Sequence, residues 1–226
     1  MKLEKKIAEG GFGFVFIASD TRTNQMYALK KMMAQSQQIV KVIQNEVKTW
    51  KKINGHQNIV KFLAVQQDTS SNCIYILSEL CQNGTLLDLL ERYNGKLNEA
   101  QIVHILIDVC NGLKHMHDKG IAHRDVKVEN ILLENKSFKL CDFGSASDKV
   151  LDPQSPACSG RYLDEMIEEF EKYTTMMYRP PEMIDRYLKY KVDTQADVWM
   201  LGCVAYSLCF FQHPFQEVQK IGILNA

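Results

Sequence analysis

His123-Arg124-Asp125-Val126-Lys127-Val128-Glu129-Asn130 is the stretch on which the reading of this chain turns. It sets a carboxylate, a cation two residues on and an amide five residues on into one short segment. Asp125 can accept a hydroxyl proton, Lys127 can neutralise a transferring phosphoryl group, and Asn130 can ligate a metal. Twelve residues after Asn130, a strand-like run over 138–141 ends in Asp142-Phe143-Gly144. Asp142 can there hold Mg2+ between phosphates, because that ion prefers hard oxygen ligands. A chance surface loop accounts poorly for the whole ordered set.

Upstream, Ala8-Glu9-Gly10-Gly11-Phe12-Gly13-Phe14-Val15 lies between two strand-like runs, 3–8 and 12–19. Glycines let backbone N–H groups approach phosphates without interference from Cβ. Taken alone, a glycine hairpin turn explains the segment equally well. Lys30, in Tyr27-Ala28-Leu29-Lys30 on a third strand-like run, 25–31, can reach the α- and β-phosphates of a nucleotide if a carboxylate holds it. By itself it reads as an edge lysine with a snorkelling stem. Glu46 sits in a run, 39–53, whose apolar residues recur at helical spacing, and it is the candidate carboxylate. Taken singly, it is an ordinary solvated acid. Two more strands are read over 59–66 and 73–78. From Leu86 the period becomes helical, over 86–93 and 100–119, with short strands at 130–133 and 138–141.

Composition narrows the classes. The chain has 226 residues, 46% hydrophobic and 24% charged, with 27 basic against 27 acidic side chains. That is a globular protein with no global field for nucleic acid and no polybasic block for anionic membrane. The first residues carry no signal-peptide core, and Lys2 stands where N-myristoylation requires glycine. The longest nearly apolar run, 198–211, is shorter than the ~20 residues a membrane span needs, and reads as a buried core helix. Seven cysteines without a CxxC pair read as reduced thiols in a cytoplasmic protein, with no disulfide frame and no zinc site.

The ordered set resembles a eukaryotic protein kinase over nearly the whole chain: the glycine loop, Lys30, Glu46, the two segments around Asp125 and Asp142, Tyr178-Arg179-Pro180-Pro181-Glu182, and Asp197-Val198-Trp199-Met200-Leu201-Gly202. Closer wording is similar to the numb-associated kinase family, which includes adaptor-associated, cyclin-G-associated and yeast actin-regulating kinases. The segments that carry this are Ala8 to Gly13, Gly55-His56-Gln57-Asn58-Ile59-Val60, Leu140-Cys141-Asp142-Phe143-Gly144-Ser145-Ala146, Tyr173-Thr174-Thr175 and Leu208-Cys209-Phe210-Phe211-Gln212-His213-Pro214-Phe215.

The resemblance implies an α+β, two-lobed protein-kinase-like fold as a single domain over 1–226. A β-rich N-lobe with one main helix would cover about 1–80, a hinge 79–84, and a mostly helical C-lobe 85–226. It implies ATP and Mg2+ as cofactors and protein Ser/Thr side chains as substrates. The nucleotide would meet Ile7, Ala8, Glu9, Gly10, Gly11, Phe12 and Gly13 in the loop. Val15 and Ala28 would lie above the adenine and Leu132 beneath it. Glu79 and Cys81 would offer backbone groups to its edge, and Ser78 would stand at the gatekeeper position behind it. Lys30 and Asp142 would meet the phosphates. Asp125, Lys127, Asn130, Lys30 and Glu46 form the implied catalytic set. Asn130 and Asp142 are the implied metal ligands, and Thr175 the residue that positions substrate. Asp197 would brace the backbone before Asp125. Endocytic adaptor or actin-patch proteins are the partners the family suggests.

Three departures matter. Ala8 replaces the first loop glycine, as in numb-associated kinases, and Pro180 replaces the usual alanine. Ala226 follows soon after His213-Pro214-Phe215, where kinase domains continue with further helices, so the C-lobe reads as truncated. The competing reading is therefore a pseudokinase-like nucleotide-binding or scaffold module. A small-molecule phosphotransferase is a weaker alternative, against which residues 178–182 and Thr175 argue. Between Gly144 and Pro180 the apolar residues Met166, Ile167, Phe170 and Tyr173 predict a short helix over 164–173, with 151–160 mobile. Trp50, one turn beyond Glu46, is expected to pack toward Phe143.

Overall fold

The computed structural model describes residues 1–10, 13–93, 97–216 and 220–225, with the backbone alone at Arg186. The chain opens with β1 (Lys2–Gly10), β2 (Gly13–Ser19) and β3 (Met26–Met33), crosses a helix α1 (Gln37–Ile53), and returns through β4 (Phe62–Asp68) and β5 (Cys73–Glu79). The five strands form one antiparallel sheet in the order β1-β2-β3-β5-β4. Register follows from alternation. Val15 faces Lys30, and both Ile17 and Ser78 face Ala28. Residues directly opposite share a face, as do residues two apart, so Val15, Ile17, Met26, Ala28, Lys30 and Ser78 project to the same side of the sheet.

Helix α1 starts where Ser36 Oγ accepts the Ile39 N–H at 3.2 Å, and it ends with Lys51 and Lys52 in its last turn. Both features suit the helix macrodipole and its unpaired terminal groups. Its buried face carries Ile43, Glu46, Val47, Trp50 and Ile53 at three- and four-residue spacing. The Asn54 side chain then bonds both the N–H and the C=O of Phe62 at 3.0 Å, which ties the helix end to β4.

The second lobe is mostly helical. It holds α2 (Leu86–Tyr93), α3 (Glu99–His117), a hairpin of β6 (Ile131–Glu134) and β7 (Ser137–Leu140), then α4 (Gly160–Tyr173), α5 (Pro181–Ile184), α6 (Gln195–Phe210) and α7 (Lys220–Leu224). Asn98 and Gln101 form a capping box that starts α3. Among the described residues no helix is long and apolar enough to cross a membrane.

Four expectations need correction. Residues 59–66 are not one strand: β4 begins at Phe62. Ile59 instead bridges Leu140 in parallel, and the Val60 N–H donates to Leu140 O at 2.9 Å, so these apolar residues seal one lobe to the other. Asn130 lies in a 3-10 turn before β6 rather than in the strand. Leu151 is buried and exchanges both backbone hydrogen bonds with Val192, so the segment expected to be mobile is anchored at its start. Helix α6 buries one face only, through Ala196, Met200, Cys203, Val204 and Leu208, while Val198 is 52% and Phe210 63% exposed. The helix predicted over 164–173 forms, but α4 starts four residues earlier, where Ser159 Oγ accepts the Tyr162 N–H.

Candidate active site

A cavity of about 620 Å³ lies between the lobes. Its roof is the sheet face already described, together with Ile7 and Ala8 of β1. Glu79, Leu80, Cys81 and Gln82 line its back edge, Leu132 and Cys141 its floor, and Lys30, Glu46, Asn130 and Asp142 its polar end. Gly10 and Gly13 close the β1–β2 hairpin above it, and Gly11 and Phe12 lie outside the described residues. The two described glycines differ in what they require. A Cβ on Gly13 would sit 1.9 Å from Lys31 O, so strand packing alone demands glycine there. A Cβ on Gly10 would meet nothing within 4 Å, so the loop leaves open space at that point.

Lys30 Nζ lies 2.7 Å from Glu46 Oε1 and 3.0 Å from Asp142 Oδ1. The ion pair expected from sequence is formed, and α1 is the element that brings Glu46 to β3. Burial favours the neutral amine, but the carboxylates of Asp142 and Glu46 outweigh it and hold the Lys30 pKa above its ordinary value. Lys30 in turn keeps the Asp142 carboxyl below the usual range. Glu46 is 2% exposed, and burial pushes its carboxyl upward against the pull of Lys30. Asp142 has φ +58°, a left-handed conformation that costs a non-glycine residue energy. Its successor Phe143 is fully buried between Trp50 and His123, with ring centroids 5.3 and 5.5 Å away. The Trp50 N–H donates to Val60 O at 2.6 Å.

Across the polar end, Asp125 is held from four sides. Oδ1 accepts the Thr175 N–H at 3.0 Å and the Thr175 hydroxyl at 2.7 Å. Oδ2 accepts from Asn130 Nδ2 at 2.9 Å and faces Lys127 Nζ at 3.0 Å. Lys127 also donates to Thr175 Oγ1 at 2.8 Å. The backbone beneath is fixed by Asp197, which is fully buried and accepts from the N–H groups of His123 (2.8 Å) and Arg124 (2.7 Å) and from His117 Nε2 (2.7 Å). His123 Nδ1 accepts the Asp125 N–H, which assigns the ring proton to Nε2, donating to Cys141 O at 3.1 Å.

The donor set suits a hard cation beside phosphates. Asn130 Nδ2 is committed to Asp125, which leaves its carbonyl oxygen for a metal, and Asp142 supplies a carboxylate in the same cavity. Among the described residues no cluster of three or more His, Cys, Asp or Glu could hold a metal unaided. Two protein oxygens completed by substrate phosphates is the way Mg2+ is commonly bound.

At the back edge, the Glu79 N–H is taken by Lys61 O at 3.0 Å, and that of Gln82 by Glu134 at 2.7 Å. Glu79 therefore offers its carbonyl only, a narrower role than expected. Burial pushes the Cys81 thiol up to about 12 and raises that of Cys141 as well, so both are neutral. Sequence reasoning missed Ile17, Met26, Val60, Thr85 and Asp88 as lining residues. Ile17 and Met26 were accessible from the alternation of β2 and β3. Thr85 and Asp88 carry the signature of a helix start, with the Asp88 N–H donating to Thr85 Oγ1 at 3.0 Å.

Ser78 is buried and lines the cavity with Lys30, Glu46 and Trp50, as a gatekeeper would. ATP-competitive compounds carrying a bulky aromatic extension should use the space its short side chain leaves. Burying one ring there is worth on the order of 2 kcal/mol at about 25 cal/mol per Å². Ser78→Met should weaken such compounds at least about tenfold while ATP affinity holds. Paired inhibition series on the two proteins check this, and equal potency would show that Ser78 is not the gatekeeper or that Trp50 already fills the space.

An apolar cleft between a β lobe and a helical lobe, with Lys30 bridged to Glu46 and Asp142 and with Asn130, bonded to Asp125, lining the same end, is the architecture of a protein kinase domain. The chain belongs to that family: the protein kinase domain matches residues 1–225. It is 34% identical over 231 residues to a probable serine/threonine-protein kinase of Dictyostelium discoideum, covering 98% of this chain and 20% of that protein. It is 34% identical to the serine/threonine-protein kinase ppk30 of Schizosaccharomyces pombe, covering 99% and 24%. A second probable serine/threonine-protein kinase of D. discoideum is 37% identical over 93% and 27% of the two chains. The chain thus spans about a fifth to a quarter of the length of these curated relatives.

Proposed function

We propose that this chain transfers the γ-phosphate of ATP to serine and threonine hydroxyls of proteins. The observation that carries the reading is the pairing of two preassembled clusters across one cleft. Lys30, Glu46 and Asp142 form one, and Asp125, Lys127, Asn130 and Thr175 the other. Val15, Ala28 and Leu132 sandwich the adenine, with Glu79 O and Cys81 at its edge. The loop from Ile7 through Ala8, Glu9, Gly10, Gly11, Phe12 and Gly13 covers the phosphates. Lys30, held by Glu46, grips the α- and β-phosphates. Asn130 and Asp142 hold Mg2+, which when bound neutralises charge on the phosphates. Asp125 orients the incoming hydroxyl and accepts its proton. Lys127 neutralises charge that develops on the transferred group, and Thr175 fixes both residues.

The Thr175–Asp125–Lys127 network favours serine and threonine over tyrosine, in agreement with the names of the relatives. The wording shared with numb-associated kinases points further, to cytoplasmic endocytic-adaptor or actin-patch proteins as substrates. The test is phosphoamino-acid analysis of a generic protein substrate after incubation with Mg·ATP. Phosphoserine and phosphothreonine without phosphotyrosine are expected. Nucleotide binding without turnover would favour a pseudokinase-like scaffold instead.

A further inference from the structure

The chain as a whole is neutral, but its two lobes are not. Residues 1–80 hold eleven basic and six acidic side chains, and residues 81–226 sixteen and twenty-one. Two of the six carboxylates, Glu46 and Glu79, pair with Lys30 and Lys139. The other four are engaged on β1 and in two turns: Glu4 by Lys2, Glu9 by Lys6, Asp20 by Arg22, and Asp68 by Ser70 and Ser71. The β lobe therefore has no carboxylate left for the cations on the outer face of its helix.

From Lys41 to the end of α1 the exposed positions are Lys41, Gln44, Asn45, Lys48, Lys51 and Lys52. Four are cations and two are amides, while the helix's one acid, Glu46, is turned inward. Lys41, Lys48 and Lys52 follow one another at seven and four residues, a single row about 16 Å long at the helical rise. Lys51 stands beside it, 5.4 Å over the Phe62 ring. Among the described residues none of these four lysines is in an ion pair. Surface cations of the helical lobe such as Lys114, Arg161 and Lys220 instead face Asp118, Glu165 and Glu171. The macrodipole accounts for Lys51 and Lys52 in the last turn but not for Lys41 and Lys48, and the first turn carries no acid. Lys48 also repels Lys51 and Lys52, three and four residues on. Such an unneutralised row costs the helix stability and presents a field that attracts anions. It has no apolar side chain to enter a bilayer and no aromatic to stack on a base. An extended acidic polypeptide needs neither.

We propose that this face of α1 is a docking surface, outside the cleft, for acidic segments of protein substrates. The inference rests on the kinase reading, and a binding measurement separates the two. Fluorescein-labelled polyglutamate should bind the wild type in an anisotropy titration and be released as salt is raised. In the protein carrying Lys48→Glu and Lys52→Glu its Kd should rise at least about fivefold. A serine/threonine substrate peptide joined to the same acidic tract by a flexible Gly/Ser linker should show a KM raised by a similar factor with kcat unchanged. The peptide without the tract should keep its KM. Neither lysine lines the cleft, so the Kd for Mg·ATP should hold. Equal Kd for polyglutamate in the two proteins would overturn the proposal, and so would equal KM for the tailed peptide. Vesicles of phosphatidylserine and phosphatidylcholine that displace polyglutamate, and lose their hold in the charge-reversed protein, would overturn it by making lipid the occupant. If the reversal prevented folding, Lys48→Gln with Lys52→Gln should shift both constants the same way by a smaller factor, and no shift would defeat the proposal. Absence of turnover with every substrate would defeat the kinase reading alone, and the anisotropy titration would still decide whether the face holds an acidic segment.

Discussion

Asp142→Asn should abolish phosphoryl transfer and also weaken Mg·ATP binding, whereas Asp125→Asn should abolish most transfer and leave nucleotide affinity nearly intact. The difference follows from where each carboxylate acts. Asp142 sits in the cavity beside Lys30, and its charge is present for the ground state and the transition state alike. Asp125 is turned toward Thr175, Lys127 and Asn130, and its charge matters when the hydroxyl gives up its proton. Loss of a positioned base typically costs about 10²- to 10⁴-fold in rate. The measurements are kcat with a protein substrate and the Kd of Mg·ATP by calorimetry for both variants. Equal loss of affinity in the two would overturn the division of roles.

Removing Lys30 should hurt the fold more than removing Glu46. In Lys30→Met the Glu46 carboxylate stays 2% exposed and loses its cation. Breaking a buried pair from one side costs about 3–5 kcal/mol, less whatever the carboxylate recovers by taking up a proton. In Glu46→Gln, Lys30 keeps Asp142 at 3.0 Å and the amide can still accept a hydrogen bond. Both variants should lose turnover, but the melting temperature should drop further in Lys30→Met. The pH dependence has a definite sign. Burial raises the folded pKa of Glu46, so the folded state binds more protons than the unfolded one, and this contribution is lost as pH rises through the raised value. With Lys30 gone that loss should steepen. Thermal melts from mildly acidic to neutral pH check it, and a Lys30→Met protein whose stability rose across that range would contradict the assignment.

Much of the site is legible in the amino-acid order alone. The groups around Asp125 lie within five residues of one another, so covalent spacing alone keeps Lys127 and Asn130 near it. The sheet face above the cleft follows from the period of two. The face of α1 that carries Glu46 and Trp50 follows from the period of 3.6. These are local rules, and they hold whatever packs on top.

What those rules leave open depends on partners far along the chain. Residues 59 and 60 have the β-branched composition of a strand, yet they seal the lobes because Leu140 offers backbone groups there. Helix α6 is apolar nearly all round, so its sequence has no period to say that Met200 and Leu208 turn inward while Val198 and Phe210 face out. Leu151 stands in a turn-rich stretch but is pinned by Val192, some forty residues away. The Glu169–Arg124 contact spans 45 residues and joins an unremarkable acid on a helix to a cation already assigned to a motif. Sequence thus determined which chemical groups the cleft contains, because their spacing is covalent. Tertiary structure decided what neutralises and braces them, because burying a charge makes its counter-charge compulsory without saying which element of the chain must bring it.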